Sequence, residues 1–211
     1  MCCCWGRSRL LLWAFADRLA KAGIATESIT KVVFTHAHPD RFWGVLDPLD
    51  DTPLFAKARH FMTAVDRDYW LKPGVETTVP DAARGAALGT QRRLKQLSDR
   101  IETFRPSAEI VPGLAVIDTS GHSPGHISLI LQSGTSKLMI GGDVLIEPVL
   151  SFARPAWPWG PDWDQDKGIA ARRRTLEMLT ADKVPLLGYH LPWPGVGHVE
   201  RRGDNYRLVQ S

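Results

Sequence analysis

Ligand-type side chains fall in four short loops of this 211-residue chain. His36, His38 and Asp40 stand in His-Ala-His-Pro-Asp, and His122 opens His-Ser-Pro-Gly-His. Asp143 ends Gly-Gly-Asp, and His190 lies in Gly-Tyr-His-Leu-Pro. Imidazole nitrogens and carboxylate oxygens suit zinc and related divalent ions, and they do not exclude iron. Two histidines at i and i+2 in a turn can reach one ion, and a third from another strand completes a facial set. A carboxylate between two ions can bridge them, and such a centre activates water for attack on a carbonyl or phosphoryl group. Taken singly, each motif is weak. A lone histidine on a loop is ordinarily solvated or hydrogen-bonded, as expected for His60, and Gly-Gly-Asp is ordinarily a turn.

Their placement is more informative, because each follows a short β-rich run. Lys31–Thr35 precedes His36, Leu114–Asp118 precedes His122, Lys137–Ile140 precedes Asp143 and Val184–Leu187 precedes His190. Strands that end in ligand-bearing loops are how a scaffold aims several side chains at one spot. Ile127–Gln132 reads as a further strand, joined to the 137–140 run through the hairpin turn Ser133-Gly-Thr-Ser136. Leu11, Phe15, Leu19 and Ala22 predict an amphipathic helix over residues 8–22, closed by Gly23. A short helix is expected over 60–71. Pro80 then opens a long one with Ala83, Ala87, Thr90, Leu94, Leu97 and Ile101 on a single stripe. A Pro- and Trp-rich loop, 147–163, precedes a helix carrying Ile169, Leu176 and Leu179, and the tail from Arg201 reads as an edge segment. The mixture is of α/β (α+β) class, and residues 1–211 read as one domain.

Hydrophobic residues at 44% and a net charge of +3 are ordinary for a globular chain, and the basic residues form no stripe that would fit a nucleic acid. The trios Arg92, Arg93, Lys95 and Arg172, Arg173, Arg174 fall in helix-like stretches and read as solvated faces. Cys2, Cys3 and Cys4 are adjacent, so no disulfide framework is expected. The apolar run 10–16 is too short to span a bilayer. No small-residue cleavage site follows it, and a cytoplasmic location is expected.

Val33-Phe-Thr-His-Ala-His-Pro-Asp40, Trp43-Gly44, Thr119-Ser-Gly-His-Ser-Pro-Gly-His126, Gly142-Asp143 and His190 together resemble the metallo-β-lactamase superfamily. Gly188-Tyr-His-Leu-Pro-Trp-Pro-Gly-Val-Gly-His198 is similar to the closing motif of its methyl parathion hydrolase-like branch. The resemblance implies an αββα sandwich. It also implies His36, His38 and His122 on a first metal, Asp40 and His190 on a second, and Asp143 bridging. His126 and His198 match supporting positions. The activity implied is that of a zinc-dependent hydrolase, with one or two Zn2+ per chain, acting on an ester, lactone or organophosphate-type small molecule. An iron-dependent oxidoreductase and an inactive homologue with a degraded second site are the alternatives. Trp43, Trp157, Trp159 and Trp193, among eight tryptophans, are expected to wall an aromatic substrate pocket, and Trp163 to cap the core.

Two departures from the family pattern carry expectations of their own. Arg41 stands where the pattern has a histidine, and a guanidinium offers only donors, so the second metal site should be weakened. Few residues precede His36, so the chain reads as N-terminally shortened, with an incomplete first sheet. The exposed edge would invite a homodimer.

Overall fold

The computed structural model describes residues 8–47, 50–106 and 110–210, so Cys2, Cys3 and Cys4 lie outside the described residues. In chain order the elements are α1 (Ser8–Lys21), β1 (Lys31–Val33), α2 (Pro39–Phe42), β2 (Arg59–Thr63), α3 (Ala64–Leu71), α4 (Arg84–Gln96) and β3 (Ile101–Phe104). There follow β4 (Leu114–Asp118), β5 (Ile127–Ser133), β6 (Ser136–Ile140), α5 (Gln165–Asp182), β7 (Leu186–Leu187), β8 (Val196–Arg202) and β9 (Asn205–Gln210). They divide into two compact units. One takes the residues up to Met62 with Arg67–Thr103, and the other takes Thr63–Asp66 with the residues from Phe104 onward.

In the first unit, α1 stops where the sequence places a glycine. Gly23 has φ 74°, and the N–H groups of Gly23 and Ile24 donate back to the carbonyls of Ala20 (2.9 Å) and Leu19 (2.8 Å). That pairing satisfies the last helix carbonyls and needs a left-handed residue. The expected apolar face is less covered than its pattern suggests: Phe15 is 48% exposed and meets the Phe55 ring edge-on at 6.2 Å. β1 pairs in parallel with β2, Val32 opposite His60, within a three-stranded sheet of order β1-β2-β3. Residues 59–63 are thus a strand rather than the start of a helix, because the partner strand overrides a local pattern that favours helix only weakly. Helix α3 begins just after them. Pro80 leads into a single 3-10 turn, Asp81–Ala83, before α4. Ala87, Thr90, Leu94 and Leu97 are buried as their spacing predicts, whereas Ile101 has already entered β3. Ala87, Leu94 and Leu97 pack with Phe34, Phe42 and Met62.

The second unit is built on a six-stranded sheet of order β4-β5-β6-β7-β8-β9, antiparallel except for the β6–β7 pair. The predicted hairpin closes with Ser133 opposite Ser136 and Gly134 at φ 58°. Helix α5 is capped by the Asp164 carboxylate, which accepts from the Lys167 N–H at 3.0 Å. Its buried face runs Gly168, Ala171, Arg172, Thr175, Leu176, Leu179 at helical spacing. Leu176 and Leu179 enter a core with Met139, Leu145, Phe152 and Leu186, each such side chain contributing about 1.5–3 kcal/mol. The expected edge segment is longer than its sequence signal, since β8 already begins at Val196 and pairs with β9 from Gly197 on.

His60 corrects an expectation. It is wholly buried, stacked on Phe34 at 5.9 Å and 7°, and neither ring nitrogen has a hydrogen-bond partner among the described residues. Burial, with Arg100 and Arg59 nearby, pushes its pKa down to about 4. The folded state therefore holds the neutral ring, and the unfolded chain takes up a proton near pH 6.5. The stability this contributes is present above about pH 6.5 and is lost as pH falls through about 4. His60→Phe keeps the stack and removes two unpaired nitrogens, so it should stabilise by about 1–3 kcal/mol and flatten the acid limb. Urea unfolding of both proteins between pH 4 and 7 tests this. A variant with an unchanged acid limb would overturn it.

Candidate metal centre

In the first unit the His36–His38 turn leaves the C-terminal end of β1, the end at which parallel strands present functional loops. Phe34 N–H still donates to the Phe61 carbonyl at 2.8 Å, so pairing with β2 runs up to the first histidine. His36 is 1% exposed, its Nδ1 3.1 Å from the Thr35 hydroxyl. The His38 ring stands edge-on to it at 4.6 Å and edge-on to Trp70 at 5.6 Å. Between them the Ala37 carbonyl accepts from Thr90 Oγ1 on α4 at 3.1 Å, and that oxygen accepts from Trp43 Nε1 at 3.1 Å. Pro39 starts α2 directly after His38, which suits its fixed φ and missing N–H. The exposed Asp40 carboxylate is held by Arg41 at 2.7 Å.

In the second unit Asp143 is the focus. It is 4% exposed, and one oxygen, Oδ2, lies 3.3 Å from His122 Nε2 and 3.5 Å from His190 Nε2. Gly142, at φ 59°, makes the turn out of β6, while Gly141 N–H stays bound to the Leu187 carbonyl at 3.0 Å. The His190 loop is closed at its neck by Gly188 N–H to the Gly195 carbonyl at 2.9 Å.

His126 holds Asp143 by the backbone. Its Nε2 accepts from the Asp143 N–H at 2.9 Å, so its proton is on Nδ1, 2.8 Å from Thr119 Oγ1. Thr119 Oγ1 lies 3.0 Å from Ser128 Oγ, which donates to the Gly141 carbonyl at 2.8 Å. Fixing the imidazole tautomer thus orders the whole chain of donors, His126 to Thr119 to Ser128 to Gly141. His126 supports rather than ligates.

The sequence reading missed Asp162, whose Oδ1 is 3.2 Å from His122 Nδ1 and whose Oδ2 is 3.1 Å from Arg172. Nothing in Gly-Pro-Asp-Trp marks it, because its partners arrive only through folding. Arg172 and Arg93 also correct the expectation of solvated faces. Arg172 is 3% exposed, and the Arg93 guanidinium lies 4.4 Å over the Trp43 ring. Trp43 is packed against α4, where a Cβ on Gly89 would come within 2.5 Å of it. Trp193, Trp157 and Trp163 are exposed, so Trp163 does not cap the core, and Trp159 is half-buried.

Three comparisons bear on this chemistry. The sequence profile of the metallo-beta-lactamase superfamily matches residues 3–189. The N-acyl homoserine lactonase of Bacillus thuringiensis is 22% identical over 169 residues, 78% of this chain and 57% of its own length. The chain spans about half the length of the curated relatives it matches. Among solved structures, the dizinc quorum-quenching lactonase AidC superposes with a TM-score of 0.85 at 26% identity, covering 92% of this chain and 68% of that one. The hydrolase AbOPH of the beta lactamase superfamily gives 0.82 at 26% identity with the same coverage.

Burial opposes a proton on His122, but its hydrogen bonds to Asp143 and Asp162 outweigh this and hold its pKa up at about 9. The metal-free fold therefore gains stability that is fully present below about pH 6.5 and is lost as pH rises through about 9. An ion bound at Nε2 must displace that proton, so binding zinc at pH 7 should release about one proton from this residue. Thermal unfolding in chelator from pH 6 to 10, and zinc calorimetry in buffers of different ionisation enthalpy, check the two halves. Stability that is flat across that range, or zinc uptake without proton release, would contradict the assignment.

Proposed function

The chain belongs to the metallo-β-lactamase superfamily, and on that premise we propose that it is a zinc-dependent hydrolase that opens lactones or cleaves related esters carrying an apolar group. One observation carries the reading: a single buried oxygen of Asp143 faces the Nε2 atoms of both His122 and His190. A carboxylate so placed has the donor chemistry of a bridging ligand. His36, His38 and His122 would hold one zinc, Asp40 and His190 a second, and Asp143 would bridge the two. When bound, zinc makes water nucleophilic near neutral pH and polarises a carbonyl.

The chain's own residues do the rest. Asp143 supplies the negative charge that balances the cations, and His126 fixes the backbone that carries it. Exposed Trp157 and Trp193 offer aromatic surface to an acyl chain. Trp43 is committed to α4 through Gly89, Thr90 and Arg93, which argues against it as a pocket wall. The likeness to N-acyl homoserine lactonases and to a dizinc lactonase supports lactones as the first substrates to test. Simple esters and organophosphate-type triesters are the comparison substrates, since they too need a polarised oxygen and an activated water.

Asp40 favours one strong and one weak site, because Arg41 engages its carboxylate at 2.7 Å and an ion pair competes with a metal for the same oxygen. His122→Ala should remove tight zinc binding and cut turnover of an N-acyl homoserine lactone by a factor of about 100 or more. Full metal content and activity in that variant would refute the ligand assignment. Asp143→Asn, equal in shape but uncharged, should lose most activity with the fold intact by circular dichroism. Arg41→His should raise tightly held zinc from about one towards two per chain, with hydrolysis rising in step. Two tightly held ions in the parent protein, or no gain in the variant, would dismiss the weak second site.

A further inference from the structure

Arg172 and Asp162 form a buried ion pair that the hydrophobic pattern of α5 does not ask for. They are 3% and 8% exposed, and Arg172 Nη2 donates to Asp162 Oδ2 at 3.1 Å. The other arm of the guanidinium donates to the backbone carbonyls of Pro155 (3.1 Å) and Trp157 (2.8 Å). Asp162 Oδ1 faces His122 Nδ1 at 3.2 Å. The backbones are joined as well. Trp163 N–H donates to the His122 carbonyl at 3.2 Å, and Asp164 N–H donates to that of Gly121 at 3.0 Å.

Packing alone explains this poorly. A buried ion pair contributes little net stability, and apolar residues of similar volume serve a helix face as well or better. Gly168, inside the same helix, costs about 1 kcal/mol relative to alanine. Its reason is steric: a Cβ there would stand 2.5 Å from Asp162 Oδ2. Two choices that each cost helix or core stability therefore meet at one carboxylate, and that carboxylate points at an imidazole.

We infer that Asp162 and Arg172 are positioning residues for His122. Asp162 holds the proton on Nδ1, so the Nε2 lone pair is free to turn towards a metal, and Arg172 fixes Asp162 while tying it to the 155–163 loop. A carboxylate on the far nitrogen also makes an imidazole a stronger ligand. This rests on the reading of His122 as a zinc ligand, and it extends that reading to how the ligand is held. It also links the Trp157 segment, a candidate substrate surface, to the orientation of that ligand.

Gly168→Ala is the sharpest test, because it displaces the Asp162 carboxylate without removing either charge and favours the helix intrinsically. Asp162→Ala and the double variant Asp162→Ala/Arg172→Met accompany it, the double variant leaving no unpaired buried cation should the single one fail to fold. Chelator competition on the folded proteins should give zinc affinities about 10–100-fold weaker than the parent in all of them. In 15N-histidine-labelled, metal-free protein the slowly exchanging Nδ1–H resonance of His122 should be lost. The visible bands of the cobalt-substituted protein should shift. His122→Ala is measured beside them. If it loses zinc while the Gly168 and Asp162 variants bind as the parent does with the Nδ1–H signal intact, the positioning role is overturned and the ligand assignment stands. If His122→Ala itself binds zinc as tightly as the parent, the ligand assignment has failed first.

Discussion

Burying a carboxylate is the constraint on which the second unit depends. An ionised group taken out of water costs several kcal/mol unless opposite charge and hydrogen bonds replace the lost hydration. Asp143 is 4% exposed, and what surrounds it answers that cost. Two imidazole nitrogens face one oxygen, and the backbone before and after the turn is pinned by Leu187 and His126. With no ion bound, the raised pKa of His122 supplies a proton in place of a cation. A metal meets the same electrostatic demand.

The first unit solves a different problem, which is to hold two imidazoles rigidly at the mouth of a short parallel strand pair. Side-chain rotamers alone would not do so. The polypeptide between the histidines is fastened instead, by a threonine hydroxyl from α4 that also receives the Trp43 N–H. Trp43 then lies across Gly89 with Arg93 over its face, so a tryptophan and two residues of a helix distant from it in sequence serve one turn. Apolar bulk covers the rest, with Phe34 and Phe42 in edge contact at 5.0 Å.

Arg172, buried, and Arg93, half-buried, both stand in positions that composition would assign to the surface. Arg93 is used for its flat cationic face against an indole, and Arg172 for the fork that joins a carboxylate to two carbonyls. Lysine could not replace either, since it lacks both the plane and the fork. Arg41 is shielded too, its side chain 12% exposed, and it holds the more exposed Asp40 carboxylate at 2.7 Å.

Ligand-type residues at strand ends were legible from the sequence because the signal is local: β-branched runs, glycines at turns, and histidines and aspartates directly after them. The hairpin at Gly134, the stop of α1 at Gly23 and the buried stripe of α4 followed from the same short-range rules. Long-range features were not legible. Residues 59–63 became a strand because β1 offered a partner, which no pattern within those residues announces. His60 was expected to find water or a hydrogen bond, yet pairing with Val32 turned it into the core against Phe34. Asp162 acquired its meaning only when α5 brought Gly168 and Arg172 beneath it and the 119–126 loop laid His122 on top. Periodicity and turn chemistry act over a few residues and can be read from a string. Which buried charge meets which partner is decided by chain segments that are distant until the core closes, so only the tertiary structure settles it.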